Sequence, residues 1–274
     1  RKRYITMIKL SFNNVLLVGN FTASSNQNLV DNLQMTSPSK SWHTSNPYTG
    51  AHTLAVTYPS STVSCFGVFN MVTNVDAMIN VKIKLGNTVV KELNFLGENI
   101  VYGYGEGPYG IFAYGGYAAP GRAWMQKFRV IWFEDVVSDN VLITITNAPE
   151  FSLGYMHLGT SWSPCFGINK DYSSSFIPIT TDVVRNLGGI STGTISRNYR
   201  AVKLSLQLLT GQEVQYLLNN HNSNTPVIVS AFGSASSTEA VYGTLLGKIP
   251  EGISYVGAPH RRFSAANMTI EELK

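Results

Sequence analysis

Charge is what this chain has least of. Charged residues make up 13% of its 274 residues, about half the share of an average soluble domain. Serine, threonine, asparagine, glycine and tyrosine take their place. Such a surface repels neighbours weakly and hydrogen-bonds readily, which suits burial in an assembly or an outward binding face. The formal net charge is +4, yet the basic clusters sit at the two ends, Arg1-Lys2-Arg3 and His260-Arg261-Arg262. Nucleic-acid binders concentrate basic residues on one face, so no nucleic-acid partner is expected.

Cysteine is scarce too. Cys65 and Cys165 are the two present, and no CxxC or Cys/His spacing points to a metal site. Cys65 lies in the apolar run Val63 to Phe69 and reads as a buried thiol. Cys165 follows Ser163-Pro164 in a loop, and whether the two pair is left open. No apolar run approaches the roughly 20 residues that span a bilayer, and no signal peptide is expected at the basic start. The histidines (His43, His52, His157, His221 and His260) form no HxH or HExxH. There is no GxSxG elbow, and no spacing pairs two carboxylates for glycan hydrolysis. A non-enzymatic protein without cofactor or metal is expected.

What is present is alternation. Ile79, Val81, Ile83 and Leu85 face away from Asn80, Lys82 and Lys84, the period of a half-buried strand. His52 to Tyr58, Val89 to Phe95, Val141 to Thr146 and Tyr199 to Leu208 repeat that signal. Lys127 to Glu134 and Pro226 to Phe232 read as apolar strands. One helix is predicted over Gly211 to Asn220, opened by the capping box of Thr210 and Glu213, with Val214, Leu217, Leu218 and His221 on one face. Between the strand sets, Pro149, Pro164, Pro178, Ser173 to Ser175 and Gly188-Gly189 read as irregular. The expected division is a β-sandwich domain over 1–150, an irregular connecting segment over 151–197, and a smaller β-rich domain with one helix over 198–274. A single sandwich with a long insertion is the alternative.

One segment is of low complexity. Residues 102–117, YGYGEGPYGIFAYGGY, hold five Tyr, six Gly and one Pro. Glycine lets another chain come close, and tyrosine offers a flat apolar ring with a polar tip. Tyr102, Tyr104, Tyr109, Tyr114 and Tyr117 form a candidate interaction loop, with Glu106 the one acid inside it. The bland alternative is a hairpin loop packed on its own domain. GYGEG is no phosphate loop, because Pro108 and further glycines follow where a helix must open.

The order of segments carries a resemblance. Asn28-Leu-Val-Asp-Asn-Leu33, Ser41-Trp42-His43-Thr44 and the strand with Leu54, Val56 and Tyr58 resemble the opening of galactose-binding-like jelly rolls in tail proteins of tailed bacteriophages. Phe151 to Gly159, followed by Trp162 and Pro164, resembles their closing strand. Arg197 to Leu209, Pro226-Val-Ile-Val-Ser230, Glu239-Ala-Val-Tyr-Gly243 and Arg262 to Glu272 resemble their C-terminal part. The resemblance implies a mainly β protein: an antiparallel jelly-roll sandwich, then a smaller β-rich domain. It implies a structural component of a virion tail tip or baseplate, packed against itself and other tail proteins as an oligomer. The other expectation is a carbohydrate-binding module or host-surface recognition protein, with Trp42, Tyr48 and Trp124 stacking on sugar rings beside the loop tyrosines.

Overall fold

The computed structural model describes residues 8–36, 40–44, 51–73, 77–97, 128–165, 168–169, 173–185, 191–221, 225–231, 243–256 and 264–273. The fold is mainly β, with antiparallel sheets and, among the described residues, one α-helix. Along the chain, β1 (Lys9–Ser11) precedes a turn of 3-10 helix (Val15–Val18), β2 (Asn20–Ala23) and a longer 3-10 segment (Gln27–Gln34). Then come β3 (Trp42–Thr44), β4 (His52–Phe69), β5 (Val72–Thr73), β6 (Met78–Leu85), β7 (Thr88–Leu96), β8 (Phe128–Thr146), β9 (Phe151–Leu153) and β10 (Met156–Gly159). They are followed by β11 (Ile168–Asn169), β12 (Ser173–Arg185), β13 (Ser191–Leu209), α1 (Gly211–Asn220), β14 (Val227–Ser230), β15 (Thr244–Lys248), β16 (Ile253–Val256) and β17 (Ser264–Glu272).

The chain forms two compact units, Asn14–Thr160 and Arg1–Asn13 with Ser161–Lys274. This differs from the expected boundaries at both ends of the first domain. β1 pairs with β14, so the start of the chain belongs to the C-terminal unit. β9 and β10 belong to the first unit. The stretch expected to be irregular contains β12, paired along its length with β13.

The first unit is a sandwich made largely from one bent ribbon. Its larger sheet runs β10-β4-β8-β6-β7, with β2 on β4, and a small sheet runs β3-β9-β5. In the first part of β4, His52, Leu54, Val56 and Tyr58 point inward and alternate with more exposed residues; from Val63 to Phe69 every residue is buried. Around their junction the β4–β8 register breaks twice, at Thr57/Ser61 and, just inside the second part, at Val63/Cys65. Pro59 sits in the first break, where a missing N–H does least harm. Bulges bend strands sharply. Phe66 lies opposite Ile131, whereas Phe95 lies two strands from Ile145, through Ile79. In a flat sheet they would stand 145 − 131 = 14 residues apart along β8, about 46 Å at ~3.3 Å each. Their ring centroids are 6.3 Å apart, so the ribbon folds back on itself. Val63, Phe66, Val68, Met156 and Leu158 thereby close over Leu54, Val56, Ile79, Val81, Ile83, Val141, Ile143 and Ile145. Near the bend the Tyr58 hydroxyl meets Ser138 Oγ at 2.8 Å, and burial pushes the phenol up to about 12.

Asn14 fastens the entry of the chain to this core. Its Oδ1 accepts from the N–H groups of Leu16 and Leu158, and its Nδ2 donates to Tyr155 Oη and the Met156 carbonyl. One buried amide thus caps the 3-10 turn and seats β10.

The second unit is built on a sheet ordered β1-β14-β15-β17-β13-β11, with β12 on β13 and β16 on β17. Leu10, Val202, Leu204, Leu206, Val227, Val229, Leu245, Met268 and Ile270 form its core with Val214 and Leu217 of α1. The predicted capping box is present. Thr210 Oγ1 accepts from Glu213 N, and Glu213 Oε2 accepts from Thr210 N. The other oxygen of Glu213 accepts from Cys165 N at 2.7 Å, which ties α1 to the segment after β10. Arg200 makes a half-buried ion pair with Glu272 at 2.9 Å, across the β13–β17 pair.

Candidate functional site

The sandwich gathers four of its connections at one end. His52 is opposite Ile145, Met78 is opposite both Thr146 and Leu96, and after the ribbon's return Phe69 is opposite Phe128. Hydrogen bonds close this end: Gly97 N donates to the Ala77 carbonyl at 2.7 Å, and Gly154 N to the Phe69 carbonyl at 3.0 Å. The strand ends that bound residues 45–50, 74–76, 98–127 and 147–150 therefore lie together. The opposite end holds the β6–β7 turn, where Gly86 has φ +58. Its N–H donates to both carboxylate oxygens of Asp139, at 2.9 and 3.1 Å.

Tyr48 belongs to the first of those connections. Tyr102, Tyr104, Glu106, Tyr109, Tyr114, Tyr117 and Trp124 belong to the third. All lie outside the described residues, so what the structure supplies is the common end from which their segments leave and to which they return. Described residues there include exposed Val72, Met78 and Leu96. Asn26, Asn70 and Asn147 take left-handed backbone conformations near the same strand ends, which asparagine tolerates better than most residues.

Trp42 requires a correction. Expected on a sugar-stacking surface, it is fully buried. Its Nε1–H donates to the Ser25 carbonyl at 2.9 Å, and its ring meets Phe151 edge-on at 4.7 Å. Phe151 in turn meets His52 at 4.8 Å. A ring without exposed face cannot stack on a ligand. Trp42 is a strut beneath the loop-bearing end. Sequence offered no way to tell these cases apart, since Ser41-Trp42-His43 reads equally well as a surface or a core strand.

The buried titratable groups serve the core. His157 is fully enclosed on β10, and burial drives its imidazole down to about 3. His52 is 1% exposed. Burial lowers its pKa, and a hydrogen bond to the backbone of Ala148 works against that. Several described acids are likewise committed to structure: Glu92 accepts from Asn80 Nδ2, Asp139 caps the β6–β7 turn, Glu213 caps α1 and Glu272 holds Arg200. Among the described residues no group of three or more His, Cys, Asp or Glu could hold a metal ion. No described helix is long and apolar enough to cross a membrane. Cys65 is buried and Cys165 exposed, and the two are not joined in a disulfide.

No family model and no curated protein matches the chain. Solved structures do. Chitosan-binding module 1 of a chitosanase/glucanase from Paenibacillus sp. IK-5 is 14% identical; the match covers 53% of this chain and 98% of the module, at a TM-score of 0.35. A Clostridium perfringens module, CpGH89CBM32-5, solved with GalNAc-β-1,3-galactose, is 10% identical over 54% of this chain and 99% of its own, at 0.35. CBM32-3 of a family 31 glycoside hydrolase from Clostridium perfringens is 12% identical over 54% and 94%, at 0.35. At these values the likeness assigns no ligand to this chain. No phage tail protein is among the structures named here.

Proposed function

We propose that the sandwich unit is a non-catalytic recognition module that takes carbohydrate at its loop-bearing end. The observation that carries this is the convergence of strand ends: Ala51 and His52, Ala77 and Met78, Gly97 and Phe128 bring the connections holding Tyr48, the tyrosine-glycine segment and Trp124 to one place. Loops on a rigid sandwich are where recognition is commonly built. Tyrosine and tryptophan rings with few charges between them suit the apolar faces of sugar rings, while their polar tips answer hydroxyl groups. A glycan array probed with the full chain tests the reading. Retention of defined glycans is expected, and Tyr109→Ala or Tyr114→Ala should weaken it about fivefold each, from roughly 1 kcal/mol per ring. A blank array, or retention untouched by every loop tyrosine, refutes it.

A second reading, as a virion tail-tip component packed against copies of itself and other tail proteins, is favoured by a separate feature. The short strand β16 pairs with β17 alone among the described strands. It carries no charge, and its Tyr255 and Val256 are 52% and 65% exposed. Natural sheets commonly protect such edges with charge or proline. Light scattering after size exclusion distinguishes the two: a strictly monomeric chain that binds glycans supports recognition alone.

A further inference from the structure

The second unit carries a strand pair longer than its sheet. The β13–β17 pairing stops at Ala201 opposite Glu271, and the Arg200–Glu272 ion pair closes the core at that level. β13 nevertheless begins at Ser191, and from Ser191 to Tyr199 its one strand partner among the described residues is β12. These nine residues and their partners form a two-stranded ribbon that reaches past the sheet by about 30 Å, at ~3.3 Å per residue. A ribbon standing alone is marginal in water, because too little of it is covered. Charge is sparse along it: in 176–185 and 191–199 the charged residues are Asp182, Arg185 and Arg197. Pro178 lies on β12, and proline on an edge strand blunts the addition of a further strand. What covers the ribbon therefore meets one of its faces.

The register says which face. Val202, Leu204 and Leu206 take the core face of β13, so alternation sets Tyr199, Ala201, Lys203 and Ser205 on the outer face. Ile177 is opposite Tyr199, and Ser175 is opposite Ala201. Ser173 and Ser175 are exposed, and Ile177 and Tyr199 are half-buried. On β17 the same outer face holds Glu271, Thr269, Asn267 and Ala265, and Val256 of β16 is opposite Ala265. That is 271 − 265 = 6 residues from Glu271, about 20 Å along the sheet. Val256 is exposed. One sheet face thus bears an apolar patch at each end, Ile177 with Tyr199 and, at the other end, Val256.

We propose that the ribbon is an arm that lies on a second copy of this chain, with its Ile177–Tyr199 face over Val256 of the partner subunit. The inference rests on the self-packing reading, for which it supplies the surface, and not on the recognition reading. A two-fold axis through the middle of the outer face makes both contacts at once, each arm meeting the far end of the other copy. Direction and area both select a second copy. The ribbon leaves the sheet at the end away from its own Val256. Its face, about 30 Å by about 10 Å, offers about 300 Å². Two exchanged arms, counted on both sides, cover about 1,200 Å², the lower bound for a specific, stable interface. One arm laid on a protein of another kind covers about half of that, below what specific association takes.

Light scattering after size exclusion, on the natural chain over a range of concentrations and on the double variant Ile177→Asp with Tyr199→Asp, tests this. The natural chain should be a dimer. The variant's dissociation constant should be about tenfold higher or more, because each carboxylate would be buried against an apolar partner. A dimer of unchanged affinity in the variant overturns the inference and leaves self-packing standing on another surface. A natural chain that stays monomeric at every concentration overturns both. Should the variant not fold, hydrogen exchange on the natural chain decides. Amides of 176–185 and 191–199 should lose protection on dilution through the dissociation range, while those of 201–208 keep theirs. Ribbon protection that does not change with concentration overturns the inference. Cross-linking tests the placement: with Cys165→Ser in every chain, an equal mixture of Ile177→Cys and Val256→Cys chains should form a disulfide-linked dimer, and neither alone should. Linking by one chain alone, or no linking in the mixture, overturns the inference.

Discussion

Lowering the pH should weaken the sandwich through His157. This side chain is fully buried on β10, opposite Gly67 of β4, with its ring 6.4 Å from that of Tyr155. Burial takes its pKa from an ordinary 6.5 to about 3. The unfolded chain therefore binds a proton between those values while the folded chain does not. Stability is full above about pH 6.5 and falls as the pH drops toward 3. At pH 5 this single group removes 1.5 pH units' worth, roughly 2 kcal/mol at ~1.36 kcal/mol per unit. With a urea m-value of ~2 kcal/mol/M, the midpoint should drop by about 1 M between pH 7 and pH 5. His52 adds a contribution of the same sign. Urea unfolding of the natural chain and of His157→Leu at both pH values, read by the fluorescence change of the sandwich, isolates the effect. The variant should lose close to one proton's worth of slope. An identical pH dependence in the two chains refutes the argument, because it would mean that the buried imidazole is already charged or is reached by water.

Other substitutions probe other joints. Asn14→Ala strands the buried N–H of Leu158 and carbonyl of Met156 together, and should cost about 2–4 kcal/mol in thermal melts of the sandwich. Glu213→Gln should cost the second unit about 1–2 kcal/mol. Burial disfavours the charged carboxylate of Glu213, but the bonds from Thr210 and Cys165 outweigh it and hold the pKa below its usual value. Its contribution is therefore present above about pH 4.5 and lost as the pH falls further, and the variant's acid-unfolding curve should be correspondingly flatter. Gly247→Ala would place a methyl group 2.5 Å from the Glu271 carbonyl oxygen and 2.6 Å from Ile270 Cγ2. A melting-point drop equivalent to about 1–3 kcal/mol is expected.

The parts of the fold visible in the sequence are those set by local pattern. Alternation marked β6, the first part of β4 and the last part of β8, because each presents one dry and one wet face. The pairing of Thr210 with Glu213 marked α1, since a capping box is complete within four residues. What escaped depends on distant partners. Nothing in Lys9–Ser11 announces a strand against Val227–Ser230. The Ser/Thr-rich β12 lacks apolar alternation and is held by its pairing with β13. The buried run from Val63 to Phe69 gave no sign that Pro59 marks a bend instead of an end. At the loop-bearing end, the aromatic residues were legible as residues, but their exposure was not, and Trp42 turned out to be a strut. Asn14 drew no notice, and His52 was read only as a strand residue outside any metal motif, because their roles arise from groups brought in by the fold.

The central claim, that the loop-bearing end is the binding face, is tested most directly by mapping a bound glycan. Backbone amide shifts of the isotope-labelled chain, titrated with the best oligosaccharide from the array, should move first at Val72, Ala77, Gly97 and Asn147. They should stay still at Gly86 and Asn140, at the opposite end. Shifts centred on Gly86 and Asn140, or on the second unit around Tyr255, would contradict the account.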